Sequence, residues 1–277
     1  MKIFQDIKEV KLQNLVVTIG IFDGVHLGHQ RILKEVVEEA KKIKGKSLVI
    51  TLWPHPKTVL TPDSKSINFI TTQEEKYGFI NSAGIDAVLV IPFTAEFAEM
   101  TAATFIKEII VDSLAAKRII IGYNHHFGKN REGNYEKLNE STNKYNYTAK
   151  KVTPVTIETH KVSSSAIRKQ IENGNIHLAN KMLGYSYFIT GNIIKGDLLG
   201  HKLGYPTANL DISSSMKLLP KNGVYAVTVN LEDKIYNGMA NIGIRPTVNK
   251  NTKRKFPTHI KGIIYIKNMV IGPNIIP

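Results

Sequence analysis

Two histidines three residues apart, His26 and His29, close the run Thr18-Ile19-Gly20-Ile21-Phe22-Asp23-Gly24-Val25-His26-Leu27-Gly28-His29. Residues at that spacing share one face at the start of a helix. A helix N-terminus offers unpaired N–H groups and about half a positive charge, which suits a phosphate. Two imidazoles placed there can donate hydrogen bonds to a phosphoryl group under attack. In that chemistry the protein mostly positions groups and stabilises charge. Gly20, Gly24 and Gly28 let backbone approach a ligand closely. The alternative reading is a chance tetrapeptide with two ordinary surface histidines. Placement at a strand-to-helix junction favours the phosphate site. A zinc site is disfavoured, because the chain has no cysteine and no third ligand stands nearby.

Two further segments carry compatible chemistry. In Val162-Ser163-Ser164-Ser165-Ala166-Ile167-Arg168 the serines can simply cap a helix. The same hydroxyls, the helix N–H groups and Arg168 can also hold a triphosphate. In Gly122-Tyr123-Asn124-His125-His126-Phe127-Gly128 the polar residues follow an apolar run, where an open α/β sheet binds its ligands. His125 and His126 read equally well as solvated loop residues. A fourth segment runs from Gly196 through Gly204 to Pro206-Thr207-Ala208-Asn209. It can be a glycine-rich hairpin. Thr207 and Asn209, two apart on a strand, would face one side. They could there help hold Mg²⁺ and phosphate oxygens.

The elements that must position these residues are legible as patterns. Near-continuous apolar runs at 15–22, 47–53, 86–93 and 117–123 read as buried parallel strands. Helical spacing covers 29–44, 72–83 and 101–114, with Thr101 as an N-cap and Gly84 as a stop. This rhythm predicts an α/β, Rossmann-like doubly wound parallel sheet. The polar segment 129–148 reads as a mobile loop with one short helix, and 163–183 as a helical stretch. After Gly184 short alternating runs at 187–194, 223–231 and 234–244 predict a small antiparallel β-barrel. The expected domains are 1–185 and 186–277.

With 42% hydrophobic and 22% charged residues the chain is ordinary for a globular protein, and its lack of cysteine fits a reducing cytoplasm. The N-terminus has no signal-peptide pattern and no apolar run reaches a membrane span, so no membrane role is expected. The net charge is +14, and residues 234–277 hold eight Lys or Arg with no Asp or Glu. The excess points to an anionic ligand or a nucleic acid. No basic–aromatic recognition segment accompanies it, so no nucleic-acid partner is expected.

The segments GIFDGVHLGHQ, IGYNHHFGKNREG and VSSSAIR, in that order, resemble the FAD synthetase module of bacterial bifunctional riboflavin kinase/FAD synthetases, in the nucleotidylyltransferase superfamily. The resemblance covers about residues 1–185. A riboflavin kinase signature extends it, through PTAN, KNGVY and GMANIGIRPT, to about 248. It implies that AMP passes from ATP to FMN, with pyrophosphate leaving. It implies catalytic roles for His26, His29 and Arg168. ATP would be held by Gly20, Phe22, Asp23, Gly24, His26, Gly28, His29, Ser164 and Arg168. Flavin would lie against Asn124 and Phe127; His125 stands where the family commonly has Phe. In the kinase-like module Gly196, Gly204, Pro206, Thr207 and Asn209 would bind nucleotide, with Thr207 and Asn209 on the metal. Substrates are then ATP, FMN and riboflavin, with Mg²⁺, and the place is the cytoplasm; oligomeric state stays open. A family kinase module continues with a strand bearing a catalytic Glu, whereas here no carboxylate follows Asp233. The second module is therefore expected to be incomplete and riboflavin phosphorylation weak. The rivals are adenylylation of another phosphate acceptor and a basic nucleic-acid-binding protein.

Overall fold

The computed structural model describes residues 1–60, 67–194, 207–212, 214, 216–231, 234–243 and 262–266. The chain divides into two compact units, one of 1–167 with 181–185 and one of 168–180 with 186–277.

The first unit is built on a six-stranded sheet. Its strands are β1 (Lys2–Phe4), β2 (Leu15–Ile19), β3 (Lys46–Trp53), β4 (Ala87–Pro92), β5 (Arg118–Gly122) and β6 (Thr148–Val152). They lie in the order β1-β4-β3-β2-β5-β6, and every pairing is parallel. Alternate residues serve opposite faces, which is why the runs read as continuously apolar. Leu15, Val17, Ile19, Leu48, Ile50, Ile119 and Ile121 fill one core. Val16, Val49, Val88, Val90 and Ile120 fill the other. Burying each such side chain stabilises the fold by about 1.5–3 kcal/mol. The sheet order reverses at β2, with β3 on one side and β5 on the other. Open α/β sheets bind ligands beyond the strand ends at such a reversal.

Helix α1 (Leu27–Lys42) follows β2 and buries Leu33, Val36 and Ala40 on one stripe. Its buried Glu39 accepts from Lys42 at 2.6 Å and from Arg118 on β5, tying helix to sheet. The short helix α2 spans Pro56–Leu60, and α3 (Gln73–Ser82) opens with a capping box between Thr72 and Glu75. It stops at Gly84, whose φ of +83° is open to glycine. Helices α4 (Ala95–Ala98) and α5 (Ala102–Thr104) come next, and α5 runs on into a π-helical stretch, Phe105–Ser113. Thr101 caps α5 through Thr104 N, as the sequence predicts.

The segment 129–148 differs from expectation. It carries two helices, α6 (Tyr135–Glu140) and α7 (Thr142–Tyr145), and leads into the edge strand β6. Leu138 is the anchor, fully buried among polar neighbours that mask any periodicity. A two-stranded hairpin, β7 (Thr156–Ile157) and β8 (His160–Lys161), leads to α8 (Ser164–Glu172). The stretch 163–183 is two helices, because Gly174 at φ +82° separates α8 from α9 (Ile176–Leu183).

The second unit is antiparallel, as its alternating pattern predicts. Strands β9 (Gly191–Ile194), β10 (Thr207–Ile212), β11 (Gly223–Leu231), β12 (Lys234–Ile242) and β13 (Gly262–Ile266) pair in the order β11-β12-β13-β10-β9.

Candidate functional site

The loop between β2 and α1 is strained and heavily held. Phe22 and Val25 have φ of 55° and 31°, in a region that L residues avoid. Such conformations persist only where the surroundings over-determine them. Here Thr71 Oγ1 accepts from Gly24 N at 3.0 Å, and Asp23 Oδ1 accepts from Thr71 N at 3.1 Å. Ser164 Oγ donates to Asp23 O at 2.8 Å, and Tyr185 Oη donates to Gly24 O at 2.7 Å. Gln30 Nε2 donates to Val25 O at 2.9 Å. Gly24 has φ +80°, and a Cβ there would lie 3.0 Å from Ile70. Several distant parts of the chain thus fix one turn.

The turn delivers His26 to the N-cap of α1. Its Nδ1 accepts from His29 N at 3.3 Å. An accepting Nδ1 puts the ring proton on Nε2, leaving Nε2–H as a donor. The His26 and His29 rings stack with centroids 3.6 Å apart and planes 16° apart. Phe22 flanks His29 at 5.0 Å. A Cβ at Gly28 would come within 3.1 Å of His26 Cε1 and crowd that ring. Burial lowers the pKa of His26 to about 4. Burial, then the neighbouring charges of His26, Lys76 and His125, holds His29 well below its ordinary value. Both rings are therefore neutral near pH 7. Neutral rings at a helix N-terminus can offer oriented hydrogen-bond donors, and His29 Nδ1 is enclosed without a partner.

One buried cation was not legible in the sequence. Lys76, four residues past the Thr72 cap of α3, is buried, and its Nζ reaches Thr51 Oγ1 at 3.5 Å. Burial lowers its pKa to about 8, with Asp23 opposing the shift. A lysine is rarely buried without a task or a partner. The capping box Thr72-x-x-Glu75 could have placed α3, but nothing in the sequence separates Lys76 from a solvated lysine.

The structure brings Gly20, Phe22, Asp23, Gly24, His26, Gly28, His29 and Ser164 together within the first unit. Ser163 Oγ caps α8 through Ala166 N at 3.2 Å, so the two serines do different work. Arg168 lies one turn further along α8, where the second compact unit begins. After β5, Asn124 is exposed and Phe127 is buried, its ring 5.4 Å from Phe105. Among the described residues no cluster of three or more His, Asp or Glu could hold a metal. No helix among them is long and apolar enough to cross a membrane.

The FAD synthetase family model covers residues 8–166, and the riboflavin kinase family model covers residues 183–272. The chain belongs to the bifunctional riboflavin kinase/FMN adenylyltransferase family. Members include that of Buchnera aphidicola from Acyrthosiphon pisum, 36% identical over 92% of this chain and 82% of its own length. That of Bacillus subtilis is 37% identical over 87% of this chain and 75% of its own. That of Escherichia coli K12 is 34% identical over 88% and 77%. A crystal structure described as a macrolide-efflux protein from Streptococcus pneumoniae shares the fold. Its TM-score is 0.83 at 28% identity, covering 97% of this chain and 84% of that one.

Within the riboflavin kinase match, Gly196, Gly204 and Pro206 lie outside the described residues. Thr207 opens β10, and Asn209 falls on the same face of that strand. Asn209 is half-buried and paired in register with Ile194 and Ile263.

Proposed function

We propose that this chain transfers the adenylyl group of ATP to the phosphate of FMN, giving FAD and pyrophosphate. An oxygen of the FMN phosphate attacks the α-phosphorus, and the bond from that phosphorus to the bridging oxygen of pyrophosphate breaks. No protein nucleophile takes part. The observation that carries the reading is the neutral, stacked His26–His29 pair at the N-terminus of α1, beyond the carboxyl end of β2. Nε2–H of His26 and the ring of His29 donate to the oxygens on which charge grows. Lys76 adds a positive charge. Arg168 and the backbone N–H groups at the start of α8 take the remaining phosphates, Ser164 holds the Asp23 turn in place, and Asn124 faces the flavin from a loop that Phe127 anchors in the core.

Mg²⁺ would neutralise the leaving pyrophosphate. With no carboxylate cluster among the described residues, its ligands would come largely from phosphate oxygens, as Mg²⁺ sites commonly arrange. In the second module Thr207 and Asn209 would hold the ion and nucleotide for riboflavin phosphorylation. The reaction belongs in the cytoplasm, with small-molecule substrates and no nucleic-acid or membrane partner. The test is incubation with ATP, Mg²⁺ and FMN, with flavins resolved by chromatography. Absence of FAD, or equal adenylylation of 4′-phosphopantetheine, would overturn the reading.

Two variants check the parts. Arg168→Ala is expected to raise the KM for ATP more than that for FMN, because a bidentate phosphate contact is lost. Steady-state kinetics with each substrate varied separately measures this.

Lys76→Met is expected to slow turnover about tenfold, ~1.4 kcal/mol. Lys76 is charged below its pKa of about 8 and neutral above it. Wild-type turnover should therefore fall as pH rises through about 8, and the Met variant should lose that limb of the profile. An unchanged alkaline limb in Lys76→Met would remove the lysine from the chemistry.

A further inference from the structure

The loop after β5 holds a feature that the adenylyl-transfer reading leaves unused. His125 N donates to Gly122 O at 3.2 Å, closing a turn at the carboxyl end of β5. The ring then lies beside Phe127, planes 19° apart and centroids 6.0 Å apart. Phe127 is itself wedged against Phe105 at 5.4 Å. The imidazole is thus held in one orientation by a packed aromatic support. Its Nε2 is enclosed and has no hydrogen-bond partner. Leaving such an atom unpaired is costly, so it calls for a physical cause.

Topology supplies one. β5 pairs with β2 in parallel register, so the His125 turn and the His26–His29 turn leave the sheet side by side at its reversal point. His29 Nδ1 is the other enclosed ring nitrogen without a partner there. His125 is close enough to His29 to lower its basicity. Burial, with His126 and Arg131 nearby, keeps His125 neutral as well. Two neutral imidazoles with unsatisfied nitrogens thus stand at the same end of the sheet, on neighbouring strands. A phosphate is the ligand that accepts from several neutral donors without requiring a counter-charge from each.

We propose that His125 is a third imidazole of the phosphoryl site, donating through Nε2–H to a substrate phosphate oxygen from the β5 side. It rests on the adenylyl-transfer reading for the identity of the substrate. The phosphate it meets belongs either to the nucleotide or to FMN, and the arms of the test separate them. A ring nitrogen at this position gives the crevice an extra donor where an apolar ring would give none.

The experiment uses the full chain, with wild type, His125→Phe and His125→Gln compared. His125→Phe keeps the aromatic packing and removes the unpaired nitrogen, so its melting temperature should equal or exceed that of wild type. Its kcat/KM for FAD formation should fall about tenfold, with the larger KM change in whichever of ATP or FMN carries the contacted phosphate. His125→Gln, which retains a donor at similar reach, should recover most of the loss. In histidine-¹⁵N-labelled wild type, the His125 ring resonance, assigned by its absence from His125→Phe, should move on adding inorganic pyrophosphate, ATP or FMN. Wild-type kinetics in His125→Phe, or a ring resonance that none of the three moves, overturns the proposal. Failure of the wild type itself to make FAD would instead overturn the reading on which it rests.

Discussion

His29→Ala is expected to lower kcat for FAD formation by about 10²–10³ while FMN still binds. The ring of His29 is stacked on His26, flanked by Phe22 and enclosed. Its position is set before substrate arrives, so little reorganisation is needed when charge develops on the α-phosphate. Removing one such preorganised donor is worth about 2.7–4 kcal/mol in comparable sites. The loss should fall on kcat more than on KM, because the donor acts where charge grows rather than on the ground state. His26 needs a subtler variant, since its Nδ1 also caps α1. His26→Ala would lose the cap, at about 1 kcal/mol of stability, together with the donor. His26→Asn restores a capping oxygen without the Nε2–H. It should therefore hold its melting temperature near wild type and still lose turnover. Turnover in His29→Ala equal to wild type would show that the imidazole pair is not the phosphoryl site.

The strands around this site were legible because each is buried on both faces, and an unbroken apolar run bounded by polar residues fits little besides a central strand. The runs at 47–53 and 86–93 correspond to β3 and β4 within a residue. The edge strands β1 and β6 were not seen. Lys2-Ile3-Phe4 is too short to carry a pattern, and Thr148–Val152 places Lys150 and Lys151 toward solvent. The histidine motif was visible because its residue types are rare in that spacing. What the sequence could not supply was the long-range scaffold of the motif. Thr71, Ser164 and Tyr185 reach the loop from 47, 141 and 161 residues away. Lys76 was missed for a related reason: its burial depends on Thr51 and Asp23 from other elements, while Glu74 and Glu75 beside it read as the polar first turn of a helix. Gln30 reads as one more polar residue of α1, yet its amide also ties Leu183 O to the loop at 2.9 Å.

The chain of residues 1–277 is expected to convert FMN to FAD much faster than it converts riboflavin to FMN. The two reactions make different demands. Riboflavin offers a 5′-hydroxyl, whose proton must leave as the oxygen attacks, and a positioned general base contributes about 10²–10⁴-fold to such a step. FMN offers a phosphate that is already anionic, so adenylylation proceeds without a base. The family resemblance sets the kinase base beyond residue 233, and residues 234–277 contain no Asp or Glu. The adenylyl site does not depend on that segment, since its glycine turn, both histidines and Ser164 all precede residue 185. Parallel assays on one preparation, with riboflavin in one arm and FMN in the other, read the ratio directly. The expected result is FAD from FMN, with phosphorylation of riboflavin slower by two or more orders of magnitude, on the order of what a positioned base contributes. Comparable rates would show that a base lies elsewhere in the second module. The carboxylates to test would then be Asp197, Asp211, Glu232 and Asp233, each replaced by its amide, and the one whose loss abolishes riboflavin phosphorylation alone would be that base.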